Sequence, residues 1–540
     1  MKITRCLRWL QFLAILLGGG SMGLTVPAQE INAIGVALLR SVVTNADGTG
    51  IRVAQPEAWT TNDPPDFEVN PAYSTVQQQV NLFTYIGTNG TANFFPNSLG
   101  VESGHADTVA SNFYGFPGGV ATNVVHVDNY DANGFYDNII AAPSPSNIND
   151  PVVNQSFIFG YVPGQVTVSQ QQQLDSQFDN YAAKYDTLFV SGAGNGGPGS
   201  GSVAPPSTCY NGLSVGAYGY LNSSVGPTED NGRAKPDITA PASATSFSTP
   251  QVAGAAAVLM QTGRRGDGGS GTNAAADLRT VKALLLNGAV KSADWTNNPP
   301  SPLDPRYGAG ILDVFNSYEQ LAGGEHGYIA ATSVPSGSAH PPNGATGTIG
   351  ALSGWDFNTN TSGTSSDEIN HYYFNVTNGF GNATFAATAT LVWNRQQNQT
   401  NINNLDLFLY NAANSNLVTG STSLVDNVEH IFVPQLAPGR YDLQVWKAGG
   451  TPRVNIVSAA ETYALAWEFS STSLSVVASG TNLALTWPIY PDGFVLASAT
   501  SLTPPIVWNT NNPAPTVTNG QNFILVSTTN TSQFFRLQPP

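Results

Sequence analysis

A serine at the start of an apolar helix is the residue of this sequence with the clearest chemical use. Ser246 precedes Pro250, and small and large apolar residues then continue as far as Met260. Proline is tolerated in a first helical turn, so the sequence predicts Ser246 at a helix N-terminus and a buried helix after it. The N–H groups of that end would stabilise the oxyanion formed when the serine attacks a carbonyl. The alternative is that Thr245, Ser246 and Ser248 only cap the helix.

A nucleophilic serine needs a base within hydrogen-bond reach, most often a histidine. Four of the six histidines lie in a later Gly/Ser/Pro-rich stretch or among strand patterns: His326, His340, His371 and His430. Of the other two, His105 lies in a pattern typical of a helix start, and His126 lies in a Val-Val-His-Val stretch typical of a strand. The candidates for the base are therefore His105 and His126.

Three stretches of the chain together resemble the subtilisin-like (S8) serine peptidase family. Residues 244–260 resemble its "GTSMATPHVAGAAAL" segment, with Ala244 where the family usually has glycine. Residues 104–111 resemble its "HGTHVAG" motif, and residues 189–197 resemble "VVAAAGNEG". The resemblance implies that Ser246 is the nucleophile, His105 the base and Asn195 the side-chain donor of the oxyanion hole. A turn residue is the alternative for Asn195.

The resemblance extends to substrate binding and to the end of the domain. Residues 152–157 are similar to the family's substrate-binding strand "VINMSLG", which implies that Ser156 and Phe157 bind an extended peptide at a strand edge. Ile158 and Phe159 stand where the family has small residues, so the primary specificity pocket departs from the family pattern. Residues 307–313 resemble the "YGxGxVN" segment near the end of such domains.

The carboxylate that would orient the histidine departs from the family pattern. The family places an aspartate after a strand such as "GIRVAVIDTG", and here residues 50–54 are followed by Gln55, Pro56 and Glu57. The register puts Glu57 in the position of the aspartate, and a glutamate can serve in such a triad. Asp66 is the second candidate and Asp63 the third, and a solvated loop carboxylate is the alternative for each of them.

The resemblance implies a secreted serine endopeptidase with protein or peptide substrates that works through an acyl-enzyme. Between Ala28 and Glu57 there is no space for the folding pro-domain of many relatives. This departure and the unusual acid keep a second hypothesis open, a catalytically impaired surface or binding protein on the same scaffold. A serine-carboxyl peptidase, which shares the fold but replaces the histidine, is a third hypothesis that the residues around His105 disfavour.

Composition and the N-terminus indicate where the protein acts. Only 10% of the 540 residues are charged and the net charge is −16, which disfavours nucleic-acid partners. Basic residues, an apolar run and Val26-Pro27-Ala28 predict a signal peptide over residues 1–28, hence secretion. No stretch is long enough to predict a transmembrane segment. Cleavage would remove Cys6 and leave Cys209 alone, which we expect to be a packed thiol without a disulfide.

The predicted fold class is α/β, with a subtilisin-like parallel-sheet domain followed by all-β parts. We expect the peptidase domain at residues 29–322, a linker at 323–347, a β-sandwich at 348–472 and a small all-β module at 473–540. In the sandwich, residues 403–410 (NNLDLFLY), 427–433 (NVEHIFV) and 436–446 (LAPGRYDLQVW) are similar to the jelly-roll and pre-peptidase C-terminal domains of secreted subtilases. No cofactor is predicted except structural calcium, for which Asp406 and Glu429 are candidates, although strand patterns favour solvent-facing carboxylates. The β-modules are candidates for surface or glycan contact.

Overall fold

The structure of the protein is a computed structural model. It describes residues 31–540 except 61–62, 95–98, 161–164, 378–383, 450–456, 472–473, 480–481, 490–493, 502–505, 511, 519–520, 528–532 and 539–540. The predicted signal peptide and its cleavage site lie outside the described residues. Within the described residues, no helix combines the length and the apolar character that crossing a membrane requires.

An eight-stranded, mostly parallel sheet forms the first part of the chain, as the sequence predicts. The strands of this part are β1 Arg52–Glu57, β2 Asp66–Glu68, β3 Phe83–Ile86, β4 Ala92–Phe94, β5 Val101–Glu102, β6 His126–Asp131, β7 Val152–Gln155, β8 Leu188–Gly192, β9 Leu213–Tyr218 and β10 Ile238–Pro241. The large sheet has the order β10-β9-β8-β7-β1-β6-β3-β4, and β2 pairs separately with β5. Within the large sheet only β4 is antiparallel to its described neighbour.

Helices cover this sheet, as its parallel connections require. They are α1 Val36–Val42, α2 Gly104–Phe113, α3 Ala132–Phe135, α4 Val168–Tyr185, α5 Thr245–Arg265, α6 Thr272–Ala275, α7 Leu278–Asn287 and α8 Val314–Ala322, with a 3₁₀ turn at Val80–Leu82 and a π-helical turn at Tyr136–Ile140. Helix α5 is buried along most of its length and packs on β7, β8, β9 and α2. Gly254 in α5 permits close approach, because a Cβ there would lie 2.6 Å from Cβ of Val120.

Two predicted elements differ from the structure. The apolar pattern of residues 120–127 predicts a strand, but the strand begins only at His126, and Val120 packs against α5 from outside it. The pattern of residues 274–286 predicts one long helix, but the structure has two, α6 and α7. Asp277 divides them, since its carboxylate accepts a hydrogen bond from the N–H of Arg279 (2.9 Å) and caps α7.

Two antiparallel sheets follow and share one hydrophobic core. Their strands are β11 Ala330–Pro335, β12 Ser353–Thr361, β13 Ser366–Val376, β14 Phe385–Trp393, β15 Leu405–Asn411, β16 Asn416–Ser421, β17 Val428–Leu436, β18 Gly439–Lys447 and β19 Ala460–Ser471. One sheet has the order β11-β13-β18-β15-β16 and the other β12-β19-β14-β17. Side chains of both sheets form the core between them. Strand β11 lies inside the expected linker and pairs with β13.

The four-stranded sheet is buried on its other face as well. There, Trp355, Val392 and Ala466 belong to the same hydrophobic cluster as the α/β core, and the sheet packs on α7 and α8. Polar contacts cross this interface. Arg395 forms a buried ion pair with Asp179 of α4 at 2.6 Å. The sandwich is therefore attached to the α/β part by a continuous core.

We expect Arg395→Ala to lower the free energy of unfolding by about 3 kcal/mol, because it leaves the buried carboxylate of Asp179 without its counter-charge. Chemical denaturation would measure this change. Arg265→Ala is the matched control, because Arg265 pairs with Asp267 in an exposed position and its removal should cost less than about 1 kcal/mol. Equal losses for the two variants would contradict a buried, stabilising pair.

The last described part of the chain is all-β, in agreement with the predicted fold class. It consists of β20 Ser475–Ser479, β21 Asn482–Pro488, β22 Val495–Ala499, β23 Thr516–Thr518, β24 Gln521–Ser527 and β25 Phe534–Gln538. The sheets have the orders β20-β21-β24-β23 and β22-β25. Buried residues Leu485, Trp487, Leu496 and Ile524 form a separate core.

Candidate functional site

The candidate site lies at the edge of the sheet where three neighbouring parallel strands end. Strands β8, β7 and β1 are neighbours, and they end at Gly192, Gln155 and Glu57. Parallel strands present their carboxyl ends on the same side, and in open α/β sheets ligands bind at this side. The segments that carry Asn195, Ser156 and Glu57 therefore leave the sheet at the same edge, and helix α5 begins beside them.

Ser246 is the second residue of α5, whose N-cap is Ala244. The N-cap makes no side-chain hydrogen bond, so the neighbouring hydroxyls do not cap this helix. The hydroxyl of Ser248 instead donates back to the carbonyl of Thr245 at 3.1 Å. The hydroxyl of Ser246 donates to the carbonyl of Ser156 at 3.4 Å, which is a long hydrogen bond. The serine is thus partly exposed and only weakly held.

Pro250 has a different position from the one predicted. It is the sixth residue of α5 rather than a residue of the first turn, and its missing N–H leaves the carbonyl of Ser246 without a helical partner. The hydroxyl of Ser156 donates to that carbonyl at 2.9 Å, and Ser156 accepts in turn from the side-chain amide of Asn154 at 3.0 Å. The proline therefore creates an acceptor that joins the serine's helix to the end of β7.

His105 is the second residue of α2, whose N-cap is Ser103. Its Nδ1 lies 2.8 Å from Oε2 of Glu57. A carboxylate only accepts, so Nδ1 carries the proton and Nε2 is available as a base. Nε2 is buried and has no hydrogen-bond partner among the described residues. The imidazole lies beside Phe247, which follows Ser246, with ring centroids 5.9 Å apart.

The three candidate acids have different surroundings. Glu57 is buried at the end of β1 and bonds to His105. Asp66 accepts hydrogen bonds from the N–H (2.6 Å) and the hydroxyl (2.5 Å) of Thr60. Asp63 is exposed. Of the three, Glu57 is the carboxylate in hydrogen-bond contact with the histidine.

His126 lies at the other end of the sheet. It pairs in register with Arg52 at the start of β1, five residues before Glu57, which is about 16 Å along a strand. Its Nε2 lies 3.0 Å from Oδ1 of Asp128. His126 is thus a strand residue remote from the serine.

Charge and burial act in opposite directions on the pKa of His105. Burial alone would lower the pKa, but the charge and the hydrogen bond of Glu57 outweigh it, with a smaller contribution from the charge of Asp66. The pKa of His105 is therefore raised above its ordinary value. Glu57 therefore stabilises the imidazolium that forms once the neutral base has taken a proton.

Asn195 follows β8 and is bound to the start of α5. Its Oδ1 accepts from both the N–H and the hydroxyl of Thr245, each at 3.0 Å. Because the oxygen is used in this way, Nδ2 is the half of the amide left to donate. The preceding Gly194 has a φ of +107°, in the left-handed region that favours glycine.

The predicted substrate strand is shorter than expected, because β7 ends at Gln155. Ser156 lies against Ser246 as described above, whereas the side chain of Phe157 is buried in the hydrophobic core. Ile158 packs over Gly194, with its Cγ2 3.6 Å from the place a Cβ of that glycine would take. Ser156 therefore contacts Ser246 with both its hydroxyl and its carbonyl. The side chain of Phe157 is buried and does not face the site.

The two calcium candidates are not solvent-facing strand carboxylates, and this expectation was wrong. Glu429 is fully buried and Asp406 nearly so. Burial, and then the charge of Asp406, raises the pKa of Glu429 well above its usual value, and its carboxyl accepts from the hydroxyl of Ser421 and the N–H of Ser423. No group of three or more His, Cys, Asp or Glu able to hold a metal occurs in the described part of the chain.

Cys209, the thiol expected to be packed, is buried. Burial, and then the charge of Asp179, raises the pKa of its thiol to about 12. A thiol with this pKa is a poor nucleophile at neutral pH.

Three polar residues of the site were not predicted from sequence: Gln55, Asn154 and Thr245. Each lies one or two residues from a candidate residue, and side chains two apart on a strand share a face. Gln55 and Asn154 could have been predicted from this rule, because they lie two residues before Glu57 and Ser156. Thr245 directly precedes Ser246, but nothing in the sequence indicates that it holds Asn195.

A comparison with protein families finds a match for part of the chain. Residues 96–310 match the Subtilase family (Peptidase S8). This segment includes His105, Asn195 and Ser246 but not Glu57. No curated protein sequence matches the chain.

Several solved structures are similar to this chain. The prenylagaramide maturation protease PagA is 20% identical over 54% of this chain and 99% of its own, with a TM-score of 0.34. Sphericase is 19% identical over 52% of this chain and 98% of its own, with a TM-score of 0.36. The S41 psychrophilic protease is 20% identical over 51% of this chain and 97% of its own, with a TM-score of 0.34.

Proposed function

Because residues 96–310 carry a subtilase-family domain, we propose that this protein is a serine endopeptidase that cleaves peptide bonds through an acyl-enzyme. The observation that carries the proposal is the partly buried hydrogen bond of 2.8 Å between Glu57 and His105, beside the helix that begins with Thr245 and Ser246. It leaves Nε2 of the imidazole as an unprotonated nitrogen on the side opposite the carboxylate. This is the arrangement that activates a serine.

In this mechanism Oγ of Ser246 attacks the carbonyl carbon of the scissile peptide bond while Nε2 of His105 takes the hydroxyl proton. Glu57 stabilises the imidazolium, and the oxyanion of the tetrahedral intermediate accepts from Nδ2 of Asn195 and the N–H of Ser246. The C–N bond then breaks as His105 gives its proton to the leaving amine. Water, deprotonated by His105, hydrolyses the acyl-enzyme and regenerates the serine.

Formation of the reactive complex requires the hydroxyl of Ser246 to turn from Ser156 towards His105. The hydroxyl of Ser246 now donates to Ser156 at 3.4 Å, and Nε2 of His105 has no partner among the described residues. Catalytic hydrogen bonds are often loose without substrate and tighten when it binds. Since the bond to Ser156 is long, rotating the hydroxyl towards His105 costs little.

An extended peptide would lie along the segment that follows β7, with Ser156 at the scissile bond. Export through the signal peptide of residues 1–28 belongs to the same proposal, and it fits substrates outside the cell. Surface or glycan contact by the C-terminal β-modules is a further part of it, which would hold the enzyme near such substrates.

Covalent labelling by a fluorophosphonate probe tests the proposal. The reagent reacts with an activated serine, which attacks phosphorus and displaces fluoride. Wild-type protein should be labelled near neutral pH, and Ser246→Ala and His105→Ala should not. A well-folded wild-type protein that resists labelling would favour the catalytically impaired binding protein instead.

We expect activity to fall as the pH is lowered through the pKa of His105. The base must be neutral to accept the proton of Ser246, and the pKa of His105 is raised above the ordinary histidine value of 6.5. The acidic limb of kcat/KM against pH should therefore have its midpoint above 6.5. Full activity at distinctly acidic pH would contradict a histidine base and support the serine-carboxyl mechanism.

A further inference from the structure

A buried polar cluster lies beside the candidate acid. It consists of Gln55, which is two residues before Glu57 in β1, and Tyr114, which follows α2. Both side chains are fully buried. A buried amide and phenol need hydrogen-bond partners, and their partners here lead directly to the site.

The hydrogen bonds of Gln55 fix the orientation of its amide. Nε2 donates to Oε1 of Glu57 at 2.8 Å and to the carbonyl of Ala106 at 3.0 Å, and Oε1 accepts from the hydroxyl of Tyr114 at 2.5 Å. If the amide were turned over, its oxygen would face the carboxylate and the carbonyl, which are both acceptors. The phenol is available as a donor, since burial raises the pKa of Tyr114 well above its usual value.

Two hydrogen bonds of the Gln55 amide bear on the position of the His105 imidazole. It holds the Glu57 oxygen that His105 does not use, and it also holds the residue that follows His105 on α2. The amide therefore joins the acid and the base through one rigid group. A glutamate has one more rotatable bond than an aspartate, so its carboxylate has more orientations to lose.

We infer that Gln55 and Tyr114 are positioning residues that hold the carboxylate of Glu57 in the orientation in which its Oε2 meets Nδ1 of His105. This inference rests on the proposed function, in which Glu57 orients the base. It explains how the site works with glutamate, because the amide removes the freedom of the longer side chain. Both residues act by positioning the carboxylate of Glu57, and the bond of Gln55 to the carbonyl of Ala106 holds the amide in place for this.

The test compares variants that remove one polar group and keep the volume. Gln55→Met should lower kcat by up to about 100-fold with little change in KM, because misplacing the acid disturbs the base and not the peptide. Tyr114→Phe should cause a smaller loss in the same direction. The matched control is Tyr85→Phe, a buried tyrosine of the same core whose hydroxyl donates to the carbonyl of Val69 at 2.7 Å. It should keep wild-type kcat.

A double-variant comparison separates positioning from ordinary packing. In the Glu57→Gln background, Gln55→Met should cause no further loss of kcat, since the carboxylate it positions is absent. Equal losses with and without Glu57 would overturn the inference, as would a Gln55→Met variant with wild-type kcat.

A readout independent of hydrolysis distinguishes this inference from the proposed function. Proton NMR of folded protein should show the Nδ1 proton of His105 shifted downfield by its bond to Glu57. The signal should weaken or disappear in Gln55→Met and Tyr114→Phe and remain in Tyr85→Phe. If the wild-type protein has no peptidase activity but its Nδ1 signal is lost in Gln55→Met, the proposed function is rejected and the positioning role is supported. An unchanged signal in Gln55→Met would reject the positioning role.

Discussion

Replacement of Ser246 by alanine is expected to lower kcat by about 10⁶-fold, the magnitude known from removal of the serine in subtilisin itself. The variant lacks the atom that forms the acyl-enzyme, and no other group of the site replaces it. The hydroxyl makes only one long hydrogen bond, to Ser156, so its removal should leave the fold unchanged. Hydrolysis of a fluorogenic peptide and circular dichroism of the same sample would measure both quantities.

Ser248→Ala is the matched control for this experiment. Ser248 lies in the same turn of α5, but its hydroxyl is buried and donates to the carbonyl of Thr245. Its removal should leave kcat within a few-fold of wild type. If Ser246→Ala retained substantial activity, or if the control lost as much, another nucleophile would have to be sought.

The second large effect is expected for Glu57→Gln, which should lower kcat by about 10⁴-fold. Gln55 presents an N–H to the position of Oε1, so the new amide would place its oxygen there and its NH₂ towards His105. Nδ1 would then have to accept, and the ring proton would move to Nε2. An imidazole in that tautomer cannot take the proton of Ser246.

Asp66→Asn is the control that separates Glu57 from Asp66, the second candidate acid. Asp66 is bonded to Thr60 and contributes only a distant charge to the pKa of His105. Its replacement should lower the pKa of His105 slightly and change kcat by a few-fold at most. A large loss in Asp66→Asn together with an active Glu57→Gln would reverse the assignment of the acid.

The fold could be predicted from sequence wherever one face of an element is apolar. The α/β part, with its parallel sheet, and the all-β part after it were predicted from apolar patterns and from the family resemblance, and the structure contains both. The pattern did not indicate where Glu429 would lie. Alternation on a strand separates two faces but does not say that both are covered, and here polar side chains of one strand are buried against their neighbours.

The site could be predicted only in part, because sequence spacing locates residues but not their hydrogen bonds. The pairing of Glu57 with His105 depends on the register of β1 and on the entry angle of α2, which long-range packing decides. The consequence of Pro250 could not be predicted from sequence either. The carbonyl of Ser246 that the proline leaves without a helical donor accepts from the hydroxyl of Ser156, which lies 90 residues away in sequence. The roles of these residues stay predictions until the variants are measured.

The β-sandwich contributes to the hydrophobic core of the α/β part through Trp355, Val392 and Ala466. Partners that share a core lose their shared contacts together, so the two parts should melt in a single cooperative transition. A chain cut before the sandwich would expose an apolar surface on α7 and α8. Removal of the sandwich should therefore destabilise the α/β part itself.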